Sequence, residues 1–330
     1  MSILVTGGAG FIGSHIVDEL VNKKEHVIVL DDLSGGFQEN INRDAVFIKG
    51  DICDYKLIEK IFNENKINYI FHIAAYAAEG LSHFIKRYNY NNNLIGSINL
   101  INQSIIHKVK CFVFTSSIAV YGKNQLPMTE DITPMPEDSY GIAKYAVEQE
   151  LHVSNKIFGL NYIIFRPHNV YGERQNIGDK YRNVIGIFMN QILQKKPLTV
   201  FGDGEQTRAF SYIGDVAPVI ANSINIKGAY NDVFNVGADI PYSINELIKK
   251  VKEVMKDDPD IRYLEPRNEV VHAYSSHKKA EDVFNIKEKT SLDDGIRKMA
   301  SWVKKHGSKK TKKFGEIEIE EKLPPIWREN

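Results

Sequence analysis

A glycine-rich run directly after the first apolar segment constrains the fold more than any other feature of the chain. Residues 6–13 (TGGAGFIG) follow a short apolar run and precede an amphipathic stretch. Glycines at Gly7, Gly10 and Gly13 allow a tight turn, a close approach of the backbone to a pyrophosphate, and close packing of a helix on a strand. The start of the following helix offers free amides and the positive end of its dipole to phosphates. The run therefore predicts a Rossmann-type dinucleotide-binding loop.

An acidic residue ends the next apolar run and indicates which dinucleotide is bound. Asp31 follows residues 27–30 (VIVL), where a carboxylate can accept hydrogen bonds from the adenosine ribose hydroxyls. A negative charge at this place also repels a 2′-phosphate. The sequence therefore favours NAD over NADP. Asp32 adds to the negative charge, although an exposed loop acid is an equally good interpretation of that residue.

Short apolar runs alternate with amphipathic stretches through the first half of the chain, which is typical of a parallel sheet covered by helices on both faces. The predicted strands are residues 3–5, 27–30, 46–48, 69–73, 111–115 and 161–166. The predicted helices include residues 14–22, 55–65, 94–107, 140–153, 184–194, 244–255 and 292–305. We therefore predict an α/β fold, a Rossmann-type doubly wound parallel sheet with a smaller C-terminal substrate-binding lobe.

The regular alternation weakens after residue 166, and no clean linker marks a boundary. We assign residues 1–170 mainly to the NAD-binding domain and 171–305 mainly to the substrate-binding lobe, with some crossing of the chain between them. Residues 306–330 form a charged extension in which lysines at 309, 310, 312 and 313 precede glutamates at 316, 318, 320 and 321. We expect this extension to be solvated and partly frayed, and a docking segment for a partner is the alternative.

The composition excludes several classes of function. Lys and Arg number 42, as do Asp and Glu, so a net charge of zero provides no field that would gather nucleic acid or an anionic membrane. No apolar run is long enough to span a bilayer and no leader pattern precedes the first strand, so we expect a cytoplasmic protein. The two cysteines, Cys53 and Cys111, lack a metal-ligand spacing. We expect them to be thiols in a reducing compartment, and we expect no metal site.

A tyrosine and a lysine carry the predicted chemistry. Tyr140 and Lys144 are four residues apart on a predicted helix, which places both on one face. A tyrosine with a pKa of about 10 is a weak base at neutral pH, and we expect Lys144 and a positively charged nicotinamide to lower that pKa by about three units. Ser117 follows a predicted strand and is placed to hydrogen-bond the substrate oxygen that Tyr140 deprotonates. Ser116 is interpreted equally well as a strand-end or helix-cap hydroxyl.

Further segments make the pattern specific for one family. They are residues 50–52 (GDI), 72–75 (HIAA), 93–97 (NLIGS), 121–122 (YG) and 166–172 (RPHNVYG). Together with the glycine loop and the Tyr140/Lys144 pair, they resemble the extended short-chain dehydrogenase/reductases of the NAD-dependent nucleotide-sugar epimerase/dehydratase family. The resemblance covers nearly the whole chain up to about residue 306.

The resemblance implies a role for each matching residue. We expect the NAD site to comprise Gly7, Gly10, Phe11, Ile12, Gly13, Asp31, Asp32, Asp51, Ile52, Ala74, Ala75, Asn93, Ser116, Tyr140, Lys144, Pro167 and His168. We expect the nucleotide-sugar site to comprise Ser117, Asn169, Asn183, Val184, Phe201, Arg208 and Arg267. The two arginines resemble those that clamp the substrate diphosphate, for which the forked guanidinium is well suited. The catalytic residues are then Ser117, Tyr140 and Lys144.

The residues after the serine run distinguish members of the family. Dehydratases carry an Asp-Glu pair there as acid and base for water elimination, whereas this chain has Ile118 and Ala119. Residues 116–122 (SSIAVYG) resemble the 4-epimerases instead. The resemblance therefore implies epimerisation of a nucleotide-diphosphate sugar, with a UDP-hexose favoured, through transient oxidation at C4. Tyr140 takes the proton of the C4 hydroxyl and later returns it.

Departures from the family pattern leave alternatives open. Residues 77–83 (AAEGLSH) should lie beside the sugar and differ from the usual 4-epimerase sequence, so the sugar and the epimerised carbon stay open. A C3/C5 or C2 epimerase, a decarboxylase and a reductase are the alternatives on this scaffold. Glu79, His83 and His168 are the nearby candidates for the additional acid/base pair that C3/C5 epimerisation needs. A non-catalytic NAD-binding regulator is a further alternative, which the presence of both Tyr140 and Lys144 disfavours.

Two C-terminal segments also depart from the family, and one partner is implied. Arg267 is followed by Asn268 and Glu269 where the family has a glycine, and residues 275–280 (SSHKKA) lack the usual Asp before Ser-Lys-Ala. We expect different contacts to the nucleotide base there. The resemblance implies a homodimer through the Tyr140 helix and the helix near residues 94–107.

Overall fold

The computed structural model describes residues 1–267, 269–311 and 313–328. Asn268 and Lys312, which the sequence analysis named, and the last two residues of the charged extension lie outside the described residues. Within that part of the chain, seven parallel strands form the central sheet: β1 Ser2–Thr6, β2 His26–Asp31, β3 Val46–Lys49, β4 Tyr69–His72, β5 Cys111–Thr115, β6 Tyr162–Pro167 and β7 Asp232–Val236. This sheet confirms the predicted fold class.

The strand order is β7-β6-β5-β4-β1-β2-β3, so the winding direction reverses between β1 and β4. Ligands in doubly wound folds bind outside the carboxyl ends of the strands at such a reversal. Thr6 and His72 face each other at this point, and Oγ1 of Thr6 lies 2.7 Å from Nδ1 of His72. The topology therefore places a binding site beside the glycine loop.

Helices cover both faces of the sheet. Those described are α1 Phe11–Asn22, α2 Tyr55–Glu64, α3 Glu79–Ser82, α4 Lys86–Tyr90, α5 Gly96–Ile106, α6 Ser139–Phe158, α7 Val184–Leu193, α8 Ile213–Asn222, α9 Ile244–Met255, α10 Lys278–Phe284, α11 Leu292–His306 and α12 Pro325–Arg328. Side chains of β1 alternate between two cores, since Ile3 and Val5 pack with α1 while Leu4 packs with α2 and α5. None of these helices is both long and apolar enough to cross a membrane.

The helix that carries Tyr140 begins and ends at clear signals. The carboxylate of Asp138 accepts a hydrogen bond from the backbone N–H of Gly141 at 2.8 Å, which caps the start of α6. Gly159 ends the helix in the left-handed region, with φ of 73°. The helix therefore runs five residues beyond its predicted end at Val153, since no helix-breaking residue precedes Gly159.

The second lobe consists of short strands and the helices around them. The paired short strands are Val170–Tyr171 with Ser211–Tyr212, Leu198–Phe201 with Ile261–Leu264, and Thr207–Ala209 with both Pro241–Ser243 and His272–Ala273. Strand β7 leaves this lobe and joins the central sheet beside β6. The chain therefore crosses between the two lobes after residue 170.

The C-terminal extension differs from its expectation. Most charged residues in the described part of the extension are exposed, but Leu323 and Trp327 are only 4% and 2% exposed. These two side chains form a cluster with Ala78, Leu81 and Ile85 of the segment that contains α3. The expectation of a solvated, frayed tail is therefore wrong for residues 314–328, because apolar and aromatic residues interrupt the charged ones and bury themselves against the rest of the molecule.

Candidate active site

One cavity of about 710 Å³ opens at the carboxyl ends of the strands and extends between the two lobes. Of the predicted site residues, all of which lie in the described part of the chain, every one except Asn93 lines it. The glycine loop, the Tyr140/Lys144 pair and the two arginines therefore share one continuous space. That arrangement can hold a dinucleotide and a second, anionic ligand at the same time.

The glycine loop is shaped by close backbone contacts. Gly7 adopts φ of +73°, and a Cβ there would lie 2.7 Å from the backbone nitrogen of Ala74. A Cβ on Gly13 would lie 2.1 Å from the carbonyl oxygen of Gly7. No side chain caps the start of α1 and its first turn has no acidic residue. The loop therefore presents amide groups and the positive end of the helix dipole, which fits a pyrophosphate.

Asp31 fixes this loop to the end of β2. Its carboxylate accepts hydrogen bonds from the backbone N–H groups of Ala9 at 3.0 Å and Leu33 at 2.8 Å. Burial raises the pKa of the carboxyl, and those two N–H groups oppose the increase. The carboxylate of Asp32 instead accepts from the N–H and hydroxyl of Ser34 at 2.8 and 2.6 Å, which forms a local turn. Asp31 is thus the more enclosed acceptor at the place expected for the ribose.

Tyr140, Ser117 and Lys144 meet at the centre of the cavity wall. Burial raises the pKa of the Tyr140 phenol and the Glu79 carboxylate raises it further, while a hydrogen bond with Ser117 lowers it. Nζ of Lys144 lies 5.8 Å from the centre of the Tyr140 ring and donates to the carbonyl oxygen of Thr115 at 2.8 Å. The protein alone therefore does not produce the predicted lowering of the Tyr140 pKa, because burial and a neighbouring carboxylate outweigh the contributions that lower it.

Lys144 is itself strongly perturbed. Its side chain is among the largest fully buried ones, and burial lowers its pKa to about 7, opposed by the Glu148 carboxylate. Glu148 is held by Arg166 at 2.5 Å and accepts a hydrogen bond from the Ser116 hydroxyl at 2.5 Å. The hydroxyl of Ser116 is therefore directed to a buried ion pair beneath the cavity floor, in line with its structural interpretation.

Glu79 begins α3 and lines the cavity. The residue is exposed to the cavity, and the surrounding protein removes part of the water around its carboxyl. Desolvation raises the pKa of its carboxyl to about 7, the charge of Asp138 adds to the increase, and the positive charges of Arg208 and Arg267 oppose it. Glu79 therefore changes charge near neutral pH, and it is close enough for that charge to raise the pKa of Tyr140.

The two predicted clamp arginines converge on one carboxylate. Nη2 of Arg267 donates to Oε2 of Glu269 at 3.0 Å, and Nη2 of Arg208 lies 3.6 Å from the same oxygen. Arg208 is also fixed by hydrogen bonds to three backbone carbonyls, those of Thr207, Val270 and Val271. The site thus contains a place where two guanidinium groups share one anionic group.

Comparisons with known proteins identify the family. A sequence profile described as the NAD dependent epimerase/dehydratase family matches residues 3–237, which is more than half of the chain. The chain belongs to the NAD-dependent epimerase/dehydratase family. It is 39% identical over 305 residues to a putative UDP-glucose 4-epimerase of Methanocaldococcus jannaschii, a match that covers 92% of this chain and 98% of that protein.

Solved structures of the family resemble the whole fold. The UDP-glucose 4-epimerase of Thermotoga maritima with UDP-glucose is 37% identical, with a TM-score of 0.89 over 93% of this chain and 99% of that one. The UDP-glucose 4-epimerase of Thermus thermophilus in complex with NAD is 30% identical, with a TM-score of 0.86 over 92% of this chain and 99% of that one. The resemblance recognised in the sequence is confirmed, and so is NAD as the cofactor.

Within this family, the residues after the serine run argue against one reaction, the elimination of water. Ile118 lines the cavity, and Ile118 and Ala119 are each 8% exposed in a short 3-10 helix that spans Ile118–Tyr121. No carboxyl group stands where dehydratases carry their acid and base. The side chains at this place are apolar and cannot transfer the protons of water elimination.

Two predicted NAD residues have other partners. Asn93 is 1% exposed; its side-chain oxygen accepts from the N–H of Tyr76 at 2.9 Å, and its amide donates to the Tyr76 carbonyl at 3.2 Å. It therefore holds the backbone of the segment after β4 from outside the cavity. The neighbouring Asn92 lines the cavity instead. His168 lines the cavity but bonds to the carbonyl of Ala209 and to His277, each at 3.0 Å. Burial and His277 lower its pKa to about 3.

Sequence reasoning missed two parts of the wall. Residues 179–182 line the cavity, and Arg182 lies over the Tyr76 ring, with 4.9 Å between Cζ and the ring centre. Ile326 and Trp327 of the C-terminal extension also line it. The aromatic and aliphatic residues between the tail glutamates were the available signal for the second part, since a solvated segment does not need them.

Proposed function

We propose that this chain interconverts the C4 epimers of a UDP-hexose. The observation that carries the proposal is the single cavity that joins the glycine loop, the Ser117/Tyr140/Lys144 group and the Arg208/Arg267 pair. Relatives that are named UDP-glucose 4-epimerase support C4 as the epimerised carbon and UDP as the nucleotide. Epimerisation at C4 needs one residue that transfers the proton of the C4 hydroxyl. It also needs binding contacts to a part of the substrate that is far from C4.

Tyr140 is the proton carrier of the proposed reaction. Bound NAD would supply the hydride acceptor and donor for the sugar carbon, and its oxidised nicotinamide would contribute a positive charge that favours a phenolate. The Tyr140 oxygen removes the C4 hydroxyl proton and later gives it back, while the Ser117 hydroxyl holds the same sugar oxygen. Protonated Lys144 stabilises the phenolate. The cofactor charge is needed because burial and Glu79 raise the pKa of Tyr140.

The substrate is held through its diphosphate. Arg208 and Arg267 donate to phosphate oxygens, for which two guanidinium groups give charge-assisted hydrogen bonds. The oxidised sugar remains attached through this tether and turns over, so that the hydride returns to its other face. Strong contacts at the diphosphate and weak ones at the ring are what permit that rotation.

The proposed assembly is a homodimer through α5 and α6. Large apolar side chains are exposed along these two neighbouring helices. Ile95 directly precedes α5 and Ile106 ends it, and α6 carries Ile142, Val153, Ile157 and Phe158. Ile142 and Val153 are eleven residues apart, as are Ile95 and Ile106, and that spacing places each pair on one helix face. A contiguous apolar surface of this kind is typical of a subunit interface.

A product analysis tests the proposal. Purified protein is incubated with UDP-, GDP-, CDP- and dTDP-hexoses without added cofactor, and the products are identified by NMR. The expected result is interconversion of UDP-glucose and UDP-galactose with NAD that copurifies, and a loss of about 10²- to 10⁴-fold in rate for Tyr140→Phe. A 4-keto-6-deoxy product, or full activity of Tyr140→Phe, would overturn it.

A further inference from the structure

We propose that residues 314–328, here named the C-terminal cap, are part of the substrate site, and that Trp327 is a positioning residue that orients Arg267 toward a nucleoside diphosphate. The inference rests on the proposed function for the identity of the Arg267 ligand. The cap joins two features that the reaction itself leaves unexplained: the charged extension and the unusual segment at residues 77–83.

Arg267 lies beside two neighbouring aromatic rings. Its Cζ atom is 4.2 Å from the centre of the Phe201 ring and 5.6 Å from the centre of the Trp327 ring, and the two ring centres are 6.2 Å apart. The two rings restrict the direction of the guanidinium, because each attracts the cation through its face. Its Nε atom is buried and has no hydrogen-bond partner among the described residues. The guanidinium therefore retains a donor that its own surroundings leave unused.

Trp327 is held in place by aromatic neighbours from three segments. Its ring centre lies 5.3 Å from that of Tyr181, 6.2 Å from that of Phe84 and 6.2 Å from that of Phe201, all in edge-to-face geometry. Such pairs stabilise beyond the burial of their area. The indole is only 2% exposed, so nearly all of its surface packs against these neighbours and Arg267.

The unusual segment makes room for this indole. A Cβ built on Gly80 would lie 3.1 Å from Cη2 of Trp327 and 3.7 Å from Nη1 of Arg267. A side chain at residue 80 would therefore press on the ring, whereas its Cβ would only touch the guanidinium. The glycine within residues 77–83 permits the approach of the cap to the cavity, so the unusual segment and the cap are parts of one structure.

The cap is attached along α3 and α4 by directed bonds. The carboxylate of Glu318 accepts from the backbone N–H groups of Arg87 and Tyr88, each at 2.8 Å, and so caps the start of α4. The N–H groups of Glu318 and Ile319 donate to the carbonyl of Phe84 at 2.9 and 3.1 Å. These bonds fix the path of the cap across the cavity rim and explain why an acidic residue follows Phe314 and Ile317.

Binding of UDP to the full-length protein tests the inference without turnover. Titration calorimetry of Trp327→Ala is expected to show a UDP dissociation constant raised about 10- to 100-fold, the effect of losing well-aligned hydrogen bonds to a charged group. The KM for the UDP-sugar should rise in parallel, kcat should change by less than about threefold, and Trp327→Phe should restore most of the affinity. The matched control is Trp302→Ala, since Trp302 stacks on His306 of α11 and does not line the cavity.

A double-mutant cycle separates positioning from a general loss of structure. If Trp327 acts through Arg267, Trp327→Ala should add less than about twofold to the UDP dissociation constant in an Arg267→Lys background. Gly80→Ala, which moves the indole and leaves it present, should weaken UDP binding in the same direction. UDP affinity unchanged in Trp327→Ala, or a full additional loss in the Arg267→Lys background, would overturn the inference. A protein that binds UDP as predicted but does not epimerise sugars would contradict only the proposed function.

Discussion

The carboxylate of Glu269 lies 3.0 Å from Nη2 of Arg267 and stands where Arg267 and Arg208 converge. Removing this charge is expected to strengthen substrate binding, because the carboxylate competes with a diphosphate for the same donors. Both Arg267 and Glu269 are partly exposed, so the pair contributes only about 0.2–1 kcal/mol. Glu269→Gln should therefore lower the KM for the UDP-sugar about two- to fivefold, as measured by steady-state kinetics. Glu265→Gln, an exposed carboxylate in the same segment, is the control. A KM that stays constant or rises would mean that Glu269 orients the arginine for the substrate.

The pH dependence of the reaction is expected to respond to Glu79. Its carboxylate raises the pKa of Tyr140, and its own pKa is raised to about 7. Above about pH 7 Glu79 is charged and keeps Tyr140 protonated to higher pH; below it, that influence disappears. In Glu79→Gln, the limb of the kcat–pH profile along which the rate increases as Tyr140 loses its proton should therefore move to lower pH.

The matched control for this profile is Glu137→Gln, since Glu137 is exposed and lies outside the cavity wall. The position of the limb is informative even if Glu79 also contacts the sugar and its replacement lowers the maximal rate. A limb at the same pH in Glu79→Gln and in the unaltered enzyme would show that the charge of Glu79 does not reach Tyr140.

The stability of the fold is expected to depend on the protonation of Lys144. Burial lowers its pKa to about 7, whereas an unfolded lysine keeps its proton to about pH 10.4. The unfolded state therefore binds more protons between these values, so this group makes stability rise with pH across that window, and its full cost is present below about pH 7. Lys144→Met should raise the midpoint of urea unfolding at pH 6, and the difference should shrink as the pH approaches 10.

Lys156→Met on the exposed face of α6 is the control for that measurement. Lys144→Met also removes the hydrogen bond to the Thr115 carbonyl, which reduces the gain by about 1 kcal/mol. The same replacement should reduce the epimerisation rate at least 10²-fold, since the phenolate loses its neighbouring ammonium. A destabilisation that does not vary with pH would contradict a buried, perturbed lysine.

The dimer proposal is tested by charge on its apolar surface. Ile142→Glu combined with Ile106→Glu places carboxylates on two side chains that are 43% and 62% exposed. Neither change disturbs a buried core position, so the monomer should remain folded. Size-exclusion chromatography with light scattering should give the mass of a dimer for the unaltered chain and of a monomer for the double variant. The same mass for both proteins would place the interface elsewhere.

The sequence predicted the sheet well because local signals agreed with the tertiary structure. The six predicted strands are runs of β-branched and aromatic residues, and their bounds differ by at most one residue from those observed. The seventh strand, Asp232–Val236, was not predicted, because it lies in the part of the chain where the regular alternation weakens. Tyr140, Lys144 and the glycines also have recognisable spacings. By contrast, the side-chain partners of Asn93 and Ser116 are set by residues 17 and 32 positions away, and no local pattern reveals them.

The cap was missed for a related reason. Its lysines and glutamates dominate the composition of residues 306–330, whereas a few apolar side chains such as Leu323 and Trp327 decide its structure. Their partners lie more than 130 residues earlier in the sequence, at α3, α4 and Tyr181. The pKa of Tyr140 was likewise predicted from Lys144 and the nicotinamide charge, and the opposing effects of burial and Glu79 appear only when the chain is folded.

The fate of the hydrogen at C4 tests the central claim most directly. UDP-glucose deuterated at C4 is incubated with the purified protein in ordinary water, and both epimers are analysed by NMR and mass spectrometry. Transfer of a hydride to bound NAD and its return to the other face predict UDP-galactose that retains deuterium at C4, with no loss to solvent. Wash-out of the label, or exchange with solvent at C3 or C5, would contradict the account and indicate epimerisation by proton abstraction from carbon.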